Sequence, residues 1–314
     1  MKRRLLLDKP IPETMITGVQ RSRIPPGAII DEWSEGRGYV LVYTNVRKQS
    51  DTALIFVHGG GFTGLSPSES SYVYLAQRLC KNTGLTVIVP DYPLVPKQSY
   101  PKQPNDILAV RLAFEAEFKS FIIGSDSAGG AIAWSLLLRN GKAFDKAWFL
   151  SPWLNMRCDT ASYLTREYCK SNGQGDRVFK GTAKEKKLEY IKVAKDYLGK
   201  DHRLSDPVAN PFNSRSSDLA KFPQTLILVG DQDSIRDDGL TMAGKLQSCG
   251  VECYASVFDG MWHDWMLYSQ RSCPKAGEAA YQKVENFMSG NLNTCDVPQS
   301  TVPSVNASIV LSTE

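Results

Sequence analysis

The feature that most constrains this 314-residue chain is a series of short, continuous apolar runs, each followed by a turn signal and a stretch of helical periodicity. TALIFVH (52–58), LTVIVPDY (85–92), FIIG (121–124), KAWFL (146–150) and TLILVG (225–230) are too uniformly apolar to keep one face in water. Such strands are buried on both sides, as they are inside a parallel sheet covered by helices. GYVLVYTNV (38–46) and CYASVF (253–258) extend the series. Between these runs, Ser68 to Lys81 places Tyr72, Leu75, Ala76 and Leu79 on one helical face, and 104–118, 127–139, 238–248 and 275–288 read as further helices. Strands alternating with helices predict an α/β fold, with a mostly parallel sheet and helices on both faces.

The alternation stops between about 154 and 220. That block reads as polar and loop-like around one basic helix near Thr182–Leu198, in which Leu188, Ile191, Ala194 and Leu198 follow the 3.6-residue period. It interrupts the sheet directly after a strand, where a cap over a site can be inserted. The expected organisation is an N-terminal segment (1–37) broken by Pro10, Pro12, Pro25 and Pro26, then a catalytic domain over 38–288 carrying the cap insertion. Residues 289–314 are polar, nearly uncharged and aperiodic, the composition of a disordered tail.

Composition removes several classes of function. The net charge is only +4, from 37 basic and 33 acidic residues. No basic run alternates with aromatics, so nucleic acid is not the expected partner. No stretch approaches the roughly 20 apolar residues of a membrane span, and the apolar run Leu5–Leu7 is too short for a signal peptide. The 7 cysteines are odd in number, scattered and without a CxxC pair, which suits reduced thiols in a cytoplasmic protein. The 3 histidines lie far apart, so neither a zinc site nor any other cofactor is expected.

The run FIIGSDSAGG (121–130) carries most chemical information. A buried strand ends near Gly124 and a helix begins after Ser127, so the serine sits on the turn between them. A nucleophile elbow needs that bend to raise the hydroxyl above the sheet, with small residues two before and two after the serine. Gly129 fills the later place, and Ser125 stands in the earlier one instead of glycine. Upstream, HGGGF (58–62) follows a strand, and its glycines allow backbone N–H groups to converge on one point. Gly60 and Gly61, with Ala128 next after the nucleophile, form the expected oxyanion hole. The run lacks the lysine and spacing of a phosphate-binding P-loop.

A serine nucleophile needs a base. His58 lies in the glycine loop, where it braces the backbone, and His202 follows a lysine-rich helix in a solvated block. His263, in FDGMWHDW (258–265), lies just past a strand and completes the chain order serine, acid, histidine. The acid is expected on the loop after TLILVG, which offers Asp231, Asp233, Asp237 and Asp238. Position alone leaves these four open, with Asp237 and Asp238 also suited to cap the following helix. Trp153, Met261, Trp262 and Trp265 are candidates for an apolar wall, although core packing suits each of them. The substrate-binding residues themselves cannot be read.

Together these segments resemble the hormone-sensitive-lipase-like branch of the α/β-hydrolases, which includes bacterial esterases, arylacetamide deacetylases and plant carboxylesterases. The family's HGGGF loop stands at His58–Phe62, and its GDSAGG elbow at Ser125–Gly130. Its D-Y-R-L-A-P segment appears as DYPLVP (91–96), and its G-x-x-D-x-L-x-D-D-G block as GDQDSIRDDG (230–239). Its H-G-F segment stands as His263-Asp264-Trp265, with aspartate for glycine. The resemblance implies an eight-stranded sheet with a helical cap and assigns the acid to Asp233. It implies a serine esterase, acting on a small-molecule carboxylic ester through an acyl-enzyme. Amide or formamide hydrolysis, deacetylation, and a non-hydrolytic receptor are the alternatives known on this fold.

Overall fold

The computed structural model describes residues 19–20, 40–45, 50–165, 176–178 and 182–292. The N-terminal segment, apart from Val19 and Gln20, and the tail beyond residue 292 lie outside the described residues. The strands are β1 (Val19–Gln20), β2 (Val40–Asn45), β3 (Thr52–Val57), β4 (Thr86–Pro90), β5 (Ser120–Asp126), β6 (Lys146–Leu150), β7 (Gln224–Gly230) and β8 (Cys253–Phe258). They form one sheet of 8 strands in the order β1-β2-β4-β3-β5-β6-β7-β8. β2 runs antiparallel to both β1 and β4, and every pairing from β4 to β8 is parallel. This is the mostly parallel sheet that the apolar runs predict.

Each central strand sends alternate residues to opposite faces. Ile55 and Val57 join the apolar layer formed with α2 (Lys102–Ala113), α3 (Ser127–Asn140) and α5 (Arg236–Ser248). Leu54 and Phe56 join the layer under α1 (Ser70–Thr83) and α6 (Pro274–Met288). Tyr72, Leu75, Ala76 and Leu79 form the buried stripe of α1, as their spacing requires.

The segment between β6 and β7 carries α4 (Ala183–Leu198), opened by a reciprocal capping box between Thr182 and Glu185. Its buried stripe differs from the one read in the sequence. Leu188 is 60% exposed, whereas Tyr190, Ala194, Tyr197 and Leu198 are buried. The large rings decide the face. Tyr197 stacks on Phe62 at 4.0 Å, and Tyr190 meets Trp153 edge-on at 4.9 Å and Tyr163 at 5.5 Å. Two tyrosines seven residues apart outweigh one leucine in buried area, so the helix rolls toward the rings.

The start of this segment is also less loop-like than its composition indicates. Leu154, Asn155, Met156 and Cys158 are buried. They are held by Asp238, whose Oδ2 accepts from the N–H groups of Leu154 (3.1 Å) and Asn155 (2.9 Å) and from Tyr163 Oη (2.9 Å). Its Oδ1 accepts from Thr160 Oγ1 at 3.2 Å. Asp237 accepts from the N–H of Ser162 at 2.8 Å. Neither aspartate is a helix N-cap, since Ile235 holds that position. Their carboxylates turn across the chain instead, because buried N–H groups from an irregular segment need acceptors. Burial pushes the Asp238 carboxyl up to about 7 against these hydrogen bonds.

Replacing Asp238 with alanine strands these donors, each costing about 1–3 kcal/mol when left buried and unpaired. Asp238→Ala should therefore lose about 3 kcal/mol or more in denaturant unfolding. A loss below about 1 kcal/mol would show that these hydrogen bonds do not anchor the segment.

Candidate active site

β5 runs to Asp126, two residues past the Gly124 expected from the sequence, and α3 begins at Ser127, so the strand–helix turn falls at the serine. Ser127 has φ +47°, in the left-handed region that a non-glycine residue rarely occupies. Close packing holds it there. A Cβ on Gly129 would fall 2.1 Å from the carbonyl oxygen of Val57 and 2.7 Å from that of His58. The first turn of α3 thus rests directly on the end of β3. A Cβ on Gly124 would meet the Trp148 ring at 2.5 Å. Ser125, by contrast, pairs in regular register with Val57 and Phe149, so the sheet takes serine two before the elbow.

The glycine loop is fastened from beneath. Tyr92 Oη donates to the carbonyls of His58 (2.6 Å) and Gly59 (3.2 Å), and its ring stacks on His58 at 4.3 Å. The Gly59 N–H donates to Asp126 Oδ1 at 2.8 Å, and Tyr72 Oη donates to Asp126 Oδ2 at 2.9 Å. Gly60 has φ +100°, and its carbonyl accepts from the N–H of Gly64 at 3.0 Å. Gly60 and Gly61 line the same cleft as Ser127 and His263, and Ala128 is buried at the first turn of α3, where N–H groups have no partner within the helix.

Two loops meet over the other side of Ser127. The N–H of Gln232 donates to the carbonyl of Met261 at 2.9 Å, and that of Asp231 donates to the carbonyl of Phe258 at 3.1 Å. These bonds tie the loop after β7 to the loop after β8. His263 Nε2 lies 2.9 Å from Ser127 Oγ, and its Nδ1 lies 3.1 Å from Asp233 Oδ1. Asp233 Oδ1 also accepts from the N–H of Ile235 at 3.0 Å. Of the four aspartates left open by position, this geometry brings Asp233 alone to the imidazole among the described residues. Asp231 accepts from Gln232 Nε2 instead.

The site is rich in buried acid. Burial works against a charged His263, but the charge of Asp264 and then that of Asp233 outweigh it and hold the imidazole well above its usual pKa. Burial raises Asp264, with the charge of His263 pulling the other way. Asp126 is raised well above the usual carboxylate range, first by burial and then by the charge of Asp264. Asp176 accepts from the N–H groups of Ser234 and Val178, each at 3.1 Å, and burial followed by the charge of Asp233 pushes it up to about 6.

The cleft above Ser127 has a volume of about 220 Å³ and opens to solvent. Trp153, Tyr190, Val178 and Val193 give it apolar walls, with Lys186 and Glu189 also in its lining. Trp153 thus does both, lining the cleft while packed in the core, the role expected of it from the sequence. Trp262 and Trp265 belong instead to the apolar layer under α1 and α6, and Met261 packs against that layer. His202 is not simply solvated. Its Nδ1 contacts Asp206 Oδ2 at 2.9 Å, and its ring meets Tyr100 edge-on at 4.5 Å. Among the described residues, no cluster of three or more His, Cys, Asp or Glu side chains could hold a metal ion, and no helix is long and apolar enough to cross a membrane.

Asp264 and Asp176 escaped the sequence reading. Asp176 lies in the irregular block, without a motif. Asp264 carried one signal, since it stands where the resembling family has glycine. It adopts φ +52°, which explains why glycine is favoured there.

Comparison with known proteins agrees with this architecture. A family described as having the alpha/beta hydrolase fold matches residues 54–267. The chain is 28% identical over 229 residues to an esterase from Acinetobacter venetianus, covering 70% of each chain. It is 26% identical over 254 residues to an acetyl-hydrolase from Streptomyces hygroscopicus, covering 78% of this chain and 77% of that one. In fold, it is similar to the crystal structure of carboxyl esterase 2 from the fungus Tuber melanosporum, with TM-score 0.70, 23% identity, and coverage of 91% and 89%. An esterase of the bacterial hormone-sensitive lipase family superposes with TM-score 0.72 at 21% identity, covering 92% of this chain and 89% of that one.

The packing at Gly129 generates a test. Gly129→Ala should displace the first turn of α3, destabilising the fold by about 1–3 kcal/mol and moving Ser127 off its partner. Gly244→Ala, in the interior of α5 with nothing within 4 Å, should instead stabilise by about 0.5–1 kcal/mol. Melting curves of the two variants check both signs, and a neutral Gly129→Ala would remove the packing argument.

Proposed function

The chain belongs to the α/β-hydrolase family, and we propose that it is a carboxylic ester hydrolase in which Ser127 is the nucleophile, His263 the base and Asp233 the orienting acid. The observation that carries this reading is the continuous path from Ser127 Oγ through both imidazole nitrogens to the buried Asp233 carboxylate. Asp233 holds the tautomer in which Nδ1 carries the proton and Nε2 faces the serine. Ser127 Oγ attacks the ester carbonyl as its proton passes to Nε2. The oxyanion is received by the N–H groups of Gly60, Gly61 and Ala128, the last aided by the positive end of α3. The alcohol departs, and water hydrolyses the acyl-enzyme by the same route.

The activities by which the relatives are named, esterase and acetyl-hydrolase, support a small or medium carboxylic ester as substrate. A receptor without catalysis has no need of the base, and His263 is present with both its contacts. The segment between β6 and β7 acts as the cap, with α4 forming part of the cleft wall. The described cysteines Cys158, Cys249, Cys253 and Cys273 are unbridged thiols, in keeping with a reducing compartment such as the cytoplasm.

Ser127→Ala and His263→Ala should each lower kcat by at least about 10⁴-fold, with little further loss in the double variant, because the residues act as a unit. Asp233→Asn should lower kcat severely with the fold intact, whereas Asp231→Asn should leave it nearly unchanged. Hydrolysis of p-nitrophenyl butyrate checks all four, and a Ser127→Ala enzyme with normal turnover would falsify the assignment.

The cap is fastened by rings rather than free to swing, through Phe62 on Tyr197 and Trp153 on Tyr190. Tributyrin hydrolysis should therefore rise smoothly through the solubility limit, and p-nitrophenyl palmitate should be slower than butyrate. A sharp rate rise at the limit, the mark of a lid opening on a lipid surface, is the contrary outcome.

A further inference from the structure

Asp264 Oδ2 lies 3.1 Å from His263 Nε2, the same nitrogen that faces Ser127 Oγ. Two oxygens thus compete for one site on the base. A neutral imidazole with its proton on Nδ1 offers only a lone pair at Nε2. Ser127 can donate to that lone pair, but an ionised carboxylate is repelled by it. The contact is favourable only when Nε2 carries a proton.

The backbone fixes this arrangement. Asp264 is in the left-handed region, its N–H donates to Ser151 Oγ at 3.1 Å, and its carbonyl accepts from the N–H of Leu267 at 3.0 Å. The side chain is 9% exposed and lines the cleft beside Ser127. Its carboxyl acts electrostatically on that of Asp126, which is held by the Gly59 N–H and Tyr72 Oη. The other titratable groups facing the imidazole are Asp233 at Nδ1, Asp176 beyond Asp233, and Tyr268 across the cleft. All of these are acids, and Lys186 is a cation in the lining of the same cleft.

We propose that Asp264 is a positioning residue that holds the Nε2 proton of His263, so that the enzyme needs a higher pH to free its base and favours esters of good leaving groups over amides. The proposal rests on Ser127 and His263 being nucleophile and base. In acylation, the Oγ–C bond forms, the carbonyl electron pair moves to oxygen, and the Oγ proton passes to Nε2. On collapse that pair re-forms the carbonyl and the bond to the leaving group breaks. A phenolate leaves with its electron pair and takes its proton later from solvent. An anilide or alkyl amide nitrogen must receive the Nε2 proton as it leaves, and Asp264 retains that proton. A stronger base is a weaker acid, so the same contact that assists attack penalises amide cleavage. The raised pKa of His263, in which the charge of Asp264 is the largest factor opposing burial, agrees in direction.

The test uses Asp264→Gly, which suits the left-handed turn, and Asp264→Asn, which keeps the shape without the charge. kcat/KM is measured against pH for phenyl butyrate and for butyranilide. Removing the carboxylate lowers the pKa of the base, so the acid limb moves to lower pH. At about pH 6 the fraction of plateau kcat/KM retained should rise at least about 5-fold in both variants, and the ester-to-anilide ratio should fall at least about 5-fold. An unmoved limb or an unmoved ratio in a folded variant overturns the proposal. If the glycine variant unfolds, the asparagine variant decides alone. Labelling of wild-type Ser127 by a fluorophosphonate separates the two levels. No label overturns the triad itself, and a label with unmoved profiles overturns only the role of Asp264.

Discussion

The contact on which the rest of the site depends is the one between the first turn of α3 and the end of β3. With no side chain at Gly129, the helix rests on the carbonyls of Val57 and His58. That approach forces the chain to turn at Ser127 within one residue, and the cost is a serine at φ +47°. A strained residue persists only where its surroundings over-determine it. Here the Trp153 N–H donates to the Ser127 carbonyl at 2.8 Å, and β5 is paired on both sides up to the elbow. The same contact brings the glycine loop that follows β3 beside the N-terminus of α3. Ser127 and the glycine loop are therefore positioned by one packing event.

The sheet was legible because buried parallel strands leave an unmistakable trace. TALIFVH and KAWFL could be read almost to the residue, since each is buried on both faces and has no polar face to blur its period. The elbow was legible for a related reason, because Gly129 reports a close approach that any side chain would block. The extent of α4 was legible from its apolar period, but not its rotation. Which stripe of α4 is buried depends on rings from distant segments, Phe62 and Trp153, and no local period contains that information.

The acids mark the limit more sharply. Asp231, Asp233, Asp237 and Asp238 lie within eight positions, and their local sequence does not say which way each carboxylate points. One reaches the imidazole, two hold the buried segment after β6, and Asp231 contacts its neighbour Gln232. Only resemblance to a known motif singled out Asp233. Asp264 shows the converse case. The departure from glycine was visible, but its meaning required the left-handed turn that swings the carboxylate onto Nε2.

The first turn of α5 joins two regions that are usually adjusted separately. Asp237 and Asp238 grip Leu154, Asn155 and Ser162, next in the chain to the cleft-lining Trp153, while Asp233 lies at the entrance to the same helix. A distortion of that segment is thereby transmitted to the carboxylate beside His263. The shape of the cleft and the setting of the imidazole are mechanically linked in this part of the molecule. α4 also meets the Asp233 loop, through Tyr190, whose Oη lies 3.4 Å from Ser234 Oγ. An effort to reshape the cleft would disturb that loop least at Lys186 and Glu189, which line the cleft and pair with each other.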